Sequence, residues 1–221
     1  MLVDLEGHGR EPVVPGVDLS RTVGWFTSTH PVRLDVGLCD WDEVWAGGPA
    51  LGQVLKEVKE QLRRIPDHGI GHGLLGRLGT GAAAELGARP APQLGFNYLG
   101  RMALSEPGDW QVAPESLDVA AGTDAGMPLP HALGVNARTE DRPDGPCLVA
   151  EWAWAGRTVA DADAEAVAHG WFRALKALAE HAARPDAGGF TPSDLGLVEG
   201  LGQDEIDEFE NEFADEWGDE G

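Results

Sequence analysis

The chain has 221 residues, a formal net charge of −22, 42% hydrophobic and 24% charged side chains, which fits a globular domain followed by a tail. So acidic a surface argues against nucleic acid, whose recognition needs basic side chains to displace counterions, and against an anionic membrane surface. Two cysteines, Cys39 and Cys147, make no disulfide framework, no apolar run reaches the roughly 18 residues of a membrane span, and Met1–Glu6 lacks the basic and apolar regions of a signal peptide, so a soluble cytoplasmic protein is expected.

In chain order, Val3–Glu11 predicts a short strand entering a glycine-rich turn, broken by Pro12, Pro15 and Gly16. Thr22–Thr27 is β-branched and aromatic and predicts a buried strand ending at Pro31, with Val32–Val36 continuing it. Leu51, Val54, Leu55, Val58 and Leu62 recur at helical spacing, predicting a helix over 51–65 that Pro66 stops. A loop over 66–73 and a short helical piece over 74–78 follow, then a strand over 94–100 and an irregular stretch over 101–130. His131–Ala137 and Cys147–Trp154 predict two strands joined by the turn-forming linker 139–146. The longest helix is expected over 161–183, with Val167, Trp171, Leu175 and Leu178 as its apolar stripe. Together these describe an α/β domain with a mixed sheet covered by helices.

The last stretch differs in composition. Residues 203–221 hold ten acids and no base, yet Ile206, Phe209, Phe213 and Trp217 fall on one helical face. A solvating acidic tail needs no aromatic residues in register, so residues 201–221 are expected to form an amphipathic helix that docks a basic partner or folds back on residues 1–200.

The chemistry-bearing residues cluster at the start. Glu6, His8 and Arg10 alternate with glycines, so an extended backbone places all three on one face and lets another group approach closely. A carboxylate, an imidazole and a guanidinium converging in this way form an acid/base site, although an exposed strand end can show the same pattern. Gly71–Gly76 spells G-x-G-x-x-G, but a helix and Pro66 precede it where a dinucleotide fingerprint needs a strand. His68 and His72 lack a third metal ligand nearby, and no metal is expected. Trp25, Phe26, Trp152 and Trp154 read as core or half-core packing on pattern alone.

Four stretches in order resemble motifs of the epimerization domains of nonribosomal peptide synthetases. They are Glu6-Gly7-His8-Gly9-Arg10-Glu11, Arg21–Thr27 with Pro31, Pro66-Asp67-His68-Gly69-Ile70-Gly71-His72-Gly73, and Phe96-Asn97-Tyr98-Leu99-Gly100-Arg101. Thr191-Pro192-Ser193-Asp194 also resembles the end of the condensation/epimerization superfamily. His30 and His72 depart from the pattern, standing where the family usually has an aromatic residue. Members of the family are two-lobed, chloramphenicol-acetyltransferase-like and roughly twice this length, and their first lobe carries an H-H-x-x-x-D motif; this sequence has no His-His pair. It looks like the C-terminal lobe.

The resemblance implies inversion of the α-carbon of an aminoacyl or peptidyl group, held as a thioester on the phosphopantetheine arm of a peptidyl carrier protein. The chain itself would bind no cofactor. Inversion needs proton removal on one face and delivery on the other, hence two acid/base groups. The family takes the first Glu of its motif as one and a first-lobe histidine as the other, which makes Glu6 the catalytic residue here. His8 and Arg10 would support it, and Trp25, Asn97 and Tyr98 would line the pantetheine tunnel. The partners implied are the carrier protein and an N-lobe or neighbouring synthetase module, without which the chain is expected to be inactive. A peptide-bond-forming condensation lobe and a noncatalytic docking module are the alternatives.

Overall fold

The computed structural model describes residues 1–102, 127–195 and 201–217, with the side chains of Met102, Asn211 and residues 213–217 not described. In chain order the elements are β1 (Leu2–Gly7), β2 (Ser28–Arg33), α1 (Trp41–Trp45), α2 (Pro49–Arg63), α3 (Ile70–Leu78), α4 (Ala82–Gly87), β3 (Leu94–Met102), β4 (Leu133–Arg142), β5 (Gly145–Trp154), α5 (Asp161–Ala182) and α6 (Gln203–Trp217). Short 3-10 turns at Pro66–Gly69 and Pro192–Leu195 complete them. The chain divides into two compact units, one of residues 2–33 and 69–166, the other of Met1, 34–68 and 167–221.

The first unit is built on a five-stranded mixed sheet of order β2-β1-β3-β4-β5. β1 pairs antiparallel with β2 and parallel with β3, β3 pairs parallel with β4, and β4 and β5 form an antiparallel hairpin. The period-2 alternation sorts its side chains. One face carries the buried Val3, Val32, Val135 and Ala137, with the buried His30 beside them. The other face carries Asp4 and Glu6 of β1, Gly95 and Asn97 of β3, and Gly134 and Asn136 of β4, aligned by the registers Asp4↔Gly95, Gly95↔Gly134 and Asn97↔Asn136. A polar, glycine-containing face on a folded sheet is where a site can be built, because it is not needed for the core.

Of the strand expected over 22–36 only the middle forms, as Ser28–Arg33, where His30 and Val32 alternate inward; residues 22–27 and 34–36 lie outside it, and Val23 and Trp25 are 98% and 91% exposed. Aromatic and β-branched composition was a sound strand signal, but the pairing of β2 with β1 selects the segment whose alternation matches the buried face. The loop expected over 66–73 is also shorter than predicted. Asp67 and His68 adopt positive φ of 47° and 50° in the 3-10 turn, and the helix begins at once at Ile70. α3 packs against β2 despite its three glycines, so tertiary packing overrides their poor helix propensity. The G-x-G-x-x-G run therefore lies inside a helix and not in a strand-to-helix turn. Most of the irregular stretch expected over 101–130 lies outside the described residues.

The second unit is helical. Asp40 caps α1 by accepting from the Asp42 and Glu43 amides, and Pro49 opens α2 at the position where its missing N–H costs nothing. Val44, Ala50, Leu51 and Ala177 form its core, in which Gly47 must be glycine: its φ is +70° and a Cβ would lie 3.0 Å from the Ala177 carbonyl oxygen. The Thr191-Pro192-Ser193-Asp194 motif acts as a lock on α2. Thr191 is 1% exposed, its amide donates to Asp194 Oδ2, Asp194 pairs with Lys59, and the Ser193 amide donates to Glu60 Oε1. Burial pushes the Glu60 carboxyl up, but the hydrogen bonds from Thr191 and Ser193 outweigh it and leave the group below its ordinary value.

The acidic helix α6 contains all four positions of the predicted stripe, Ile206, Phe209, Phe213 and Trp217. Ile206 is 3% exposed, Lys56 Nζ donates to Asp207 Oδ1 at 2.7 Å, and the Phe190 amide donates to Glu210. Its first turns are thereby pinned within the helical unit, while Phe209 stays 61% exposed. The side chains of Phe213 and Trp217 and residues 218–221 lie outside the description. No helix among the described residues is long and apolar enough to cross a membrane.

Candidate active site

Glu6 sits near the end of β1, exposed, on the polar face of the sheet. It opens onto a cavity of about 150 Å³ that Asp4, Asn97, His131 and Asn136 also line. Gly95, Gly134 and Ala153 form the cavity floor; the missing side chain leaves open space at Gly134 and makes room for the His131 ring at Gly95. Among the described side chains none hydrogen-bonds or ion-pairs with the Glu6 carboxylate, which is exposed and belongs to a residue that lines the cavity.

The expected convergence of Glu6, His8 and Arg10 does not occur. β1 ends at Gly7, and past it the chain leaves the sheet, so the period-2 rule no longer applies. Arg10 swings away: its Nε donates to the Thr22 carbonyl at 3.2 Å and its guanidinium lies 5.1 Å over the Phe26 ring. Trp25 shares a small open pocket with His8, Arg10 and Phe26, apart from the Glu6 cavity. Tyr98 points to the face opposite Asn97 and shares a 2.9 Å hydrogen bond with Thr139.

His8 is brought to the site by a different route. Its Nε2 lies 2.7 Å from Asn97 Oδ1, its Nδ1 3.3 Å from Thr27 Oγ1, and Asn97 Nδ2 donates to Asn136 Oδ1 at 3.1 Å. A row of polar side chains thus runs from the 24–27 loop across β3 to β4, alongside Glu6. Of the residues that sequence reasoning named, Glu6, His8 and Asn97 come together; Arg10, Trp25 and Tyr98 do not.

Three residues were missed: Asp4, His131 and Asn136. Asp4 Oδ2 accepts from His131 Nε2 at 2.8 Å, and both side chains are under one-fifth exposed. The imidazole lies against Gly95, where a Cβ would come within 2.5 Å of Nδ1. Asp4 was legible as the same-face neighbour two residues before Glu6. His131 and Asn136 carried no local signal, since only the parallel pairing of β3 and β4 brings them to β1. Arg138, a cation on β4 two residues beyond Asn136, has its charge engaged: the hydrogen bond to Glu151 raises its pKa, with Glu140 adding to the effect against burial. The cavity therefore presents two carboxylates, an oriented imidazole and two carboxamides. This set can remove or hold a proton and donate hydrogen bonds to an oxygen.

Residues 1–184 match the family model described as the condensation domain. The chain belongs to the condensation-domain family. Within that family it is 37% identical over 95% of its length to a chain of the linear gramicidin synthase of Brevibacillus parabrevis, and 34% identical over 96% to bacitracin synthase 3 of Bacillus licheniformis. It spans only 4% and 3% of those relatives, which are far larger nonribosomal peptide synthetase chains. Among solved structures it is similar to the epimerization domain from the third module of tyrocidine synthetase B, with a TM-score of 0.55 and 27% identity over 83% of this chain and 38% of that one. The mixed five-stranded sheet with its helices is thus the chloramphenicol-acetyltransferase-like lobe of that superfamily, matched to its C-terminal part.

Proposed function

We propose that this condensation-family lobe forms one wall of an epimerization site, which inverts the α-carbon of an aminoacyl or peptidyl thioester carried on the phosphopantetheine arm of a peptidyl carrier protein. The observation that carries the reading is the position of Glu6: a carboxylate with no partner among the described side chains, over a glycine-floored cavity, in a chain similar to an epimerization domain. Peptide-bond formation moves the proton of the attacking amine and leaves the α-proton in place, so exchange of the α-proton separates the two reactions.

The chemistry follows from the groups present. The Glu6 carboxylate takes the α-proton; the C–H electron pair becomes the carbon–carbon double bond of an enolate, and the carbonyl π pair moves to the thioester oxygen. Return of a proton to the opposite face, from a group outside these residues, completes inversion and leaves the thioester intact. His8 and Asn97 act at one remove, through the polar row beside Glu6. Arg10 and Trp25 belong to the neighbouring open pocket and have no part in the proton transfer.

The test is α-deuterium incorporation from D2O into a carrier-bound aminoacyl thioester, with the chain complemented by the first lobe of an epimerization domain. Exchange that Glu6→Gln abolishes is expected; dipeptide formation without exchange supports the condensation alternative. The pinning of α6 by Ile206 and Lys56 speaks against a tail that acts as a free docking helix.

A further inference from the structure

The polar row from Thr27 to Asn136 has a direction, and its direction decides what Asn136 offers to the cavity. Asn97 uses Oδ1 toward His8 and Nδ2 toward Asn136. With Asn97 Oδ1 as acceptor, His8 must carry a proton on Nε2, and in the neutral ring Nδ1 then accepts from the Thr27 hydroxyl. With Asn97 Nδ2 as donor, Asn136 must turn its Oδ1 to Asn97. The Asn136 NH2 group then has no partner among the described side chains, and Asn136 lines the cavity together with Glu6.

The geometry points to Asn136 as the hydrogen-bond donor to the thioester oxygen of the substrate, held in that orientation by His8 and Asn97; this rests on the epimerization reading of the Glu6 cavity. The register supports the spacing. Leu5 pairs with Phe96 and Asn97 pairs with Asn136, so Glu6, Asn97 and Asn136 form one row across three strands. Strands lie about 4.8 Å apart, which puts the Glu6 and Asn136 backbones about 10 Å from each other on one face. A substrate that reaches both lies over Asn97, which holds the middle of the row, with the Glu6 carboxylate toward the α-carbon, a Cα-to-oxygen separation of about 2.4 Å and an N–H···O contact of about 2.9 Å toward Asn136. As Glu6 removes the α-proton, negative charge develops on that oxygen, and a donor already aimed there stabilises the enolate more than the ground-state carbonyl. Asn136 would touch the reacting group; His8 and Asn97 would be positioning residues.

The experiment uses the 221-residue chain and a non-reacting probe, alanyl aminopantetheine, the amide isostere of an aminoacyl thioester. Its binding is followed by calorimetry and by the side-chain amide and imidazole 15N signals. His8 is expected as the Nε2–H tautomer, and the Asn136 NH2 signals should shift on titration. Asn136→Ala should weaken the probe about five- to ten-fold, the effect of one lost hydrogen bond. Asn97→Asp is the sharper variant: a carboxylate accepts from His8 but cannot donate to Asn136, so Asn136 reverses and binding should fall as far as in Asn136→Ala, with the His8 tautomer retained. His8→Gln, which keeps a donor, should bind more tightly than His8→Ala. A probe that binds while Asn136 signals stay still and Asn136→Ala has unchanged affinity overturns the inference and leaves the epimerization reading standing, as does an Nδ1–H tautomer at His8. A probe that fails to bind at millimolar concentration overturns the reading of the cavity, and the inference with it.

Discussion

Replacing Gly95 by alanine tests whether the His131 imidazole is held where the structure places it. A Cβ at position 95 would lie 2.5 Å from His131 Nδ1, 2.8 Å from Cε1 and 3.0 Å from Cγ, closer than a carbon can comfortably approach any of them. Either the ring moves, which breaks its 2.8 Å bond to Asp4, or β3 moves, which disturbs its pairing with β1 and β4. Losing a hydrogen bond to a carboxylate under one-fifth exposed costs about 1.5–3 kcal/mol, and overpacking elsewhere costs a similar amount, so a loss of about 2 kcal/mol is expected. His131→Ala alone should cost about 1–2 kcal/mol, because water can reach Asp4 in part. The double variant is decisive. Without the ring there is no clash, and Ala at 95 also restricts the unfolded chain, which favours folding by about 0.4–1 kcal/mol. The double variant should therefore be more stable than Gly95→Ala alone, with a coupling of about 2 kcal/mol measured from urea midpoints at constant m-value. Additive single effects, or a neutral Gly95→Ala, would refute the placement of His131 over the cavity floor.

The remaining expectations concern the lock, the buried histidine and the acidic helix. Asp194 is held down to about 2, chiefly by the Lys59 hydrogen bond and then by the Thr191 amide; its contribution is present above the ordinary 3.8 and is lost as pH falls through about 2, so Asp194→Asn should flatten the acid limb of stability between those values. An unchanged limb would show that the Thr191–Asp194 motif does not lock α2. Burial lowers the His30 pKa below 6.5, the charge of His72 lowers it further and Asp4 opposes both, so the unfolded chain binds the proton first and stability should fall as pH drops below about 6.5. His30→Gln should remove that slope, and a slope that persists unaltered assigns it to another group. Ile206→Ala should cost about 2–4 kcal/mol if the base of α6 is part of the helical unit, whereas a cost below about 0.5 kcal/mol by urea titration would mean that α6 contributes nothing to its stability.

What could be read in the sequence follows a physical pattern. The helices at 49–63 and 161–182 and the strands at 94–102 and 145–154 were legible because each repeats its period long enough to outweigh local noise. The five-residue α1 and six-residue α4 were not, since neither completes two turns of periodicity. β4 runs on to Arg142 through charged residues because Arg138 pairs with both Glu140 and Glu151 along the hairpin, a stabilisation no hydropathy pattern shows. At the site, Glu6 and Asn97 stood out by motif, and His8 joined them by a contact that alternation along one strand could not foresee. Asp4 and His131, 127 residues apart, meet only because β1 and β4 flank β3.

The measurement that reaches furthest is the washout of the α-proton from a carrier-bound aminoacyl thioester in D2O, in wild-type chain and Glu6→Gln, each alone and with an epimerization-domain first lobe. Complemented wild-type chain should exchange the proton, Glu6→Gln should fall at least about 100-fold with unchanged probe affinity, and the chain alone should not invert the α-carbon. Full exchange by Glu6→Gln in the complemented state would contradict the assignment of Glu6 as the proton-transfer group. Inversion by the isolated chain would contradict the two-walled site.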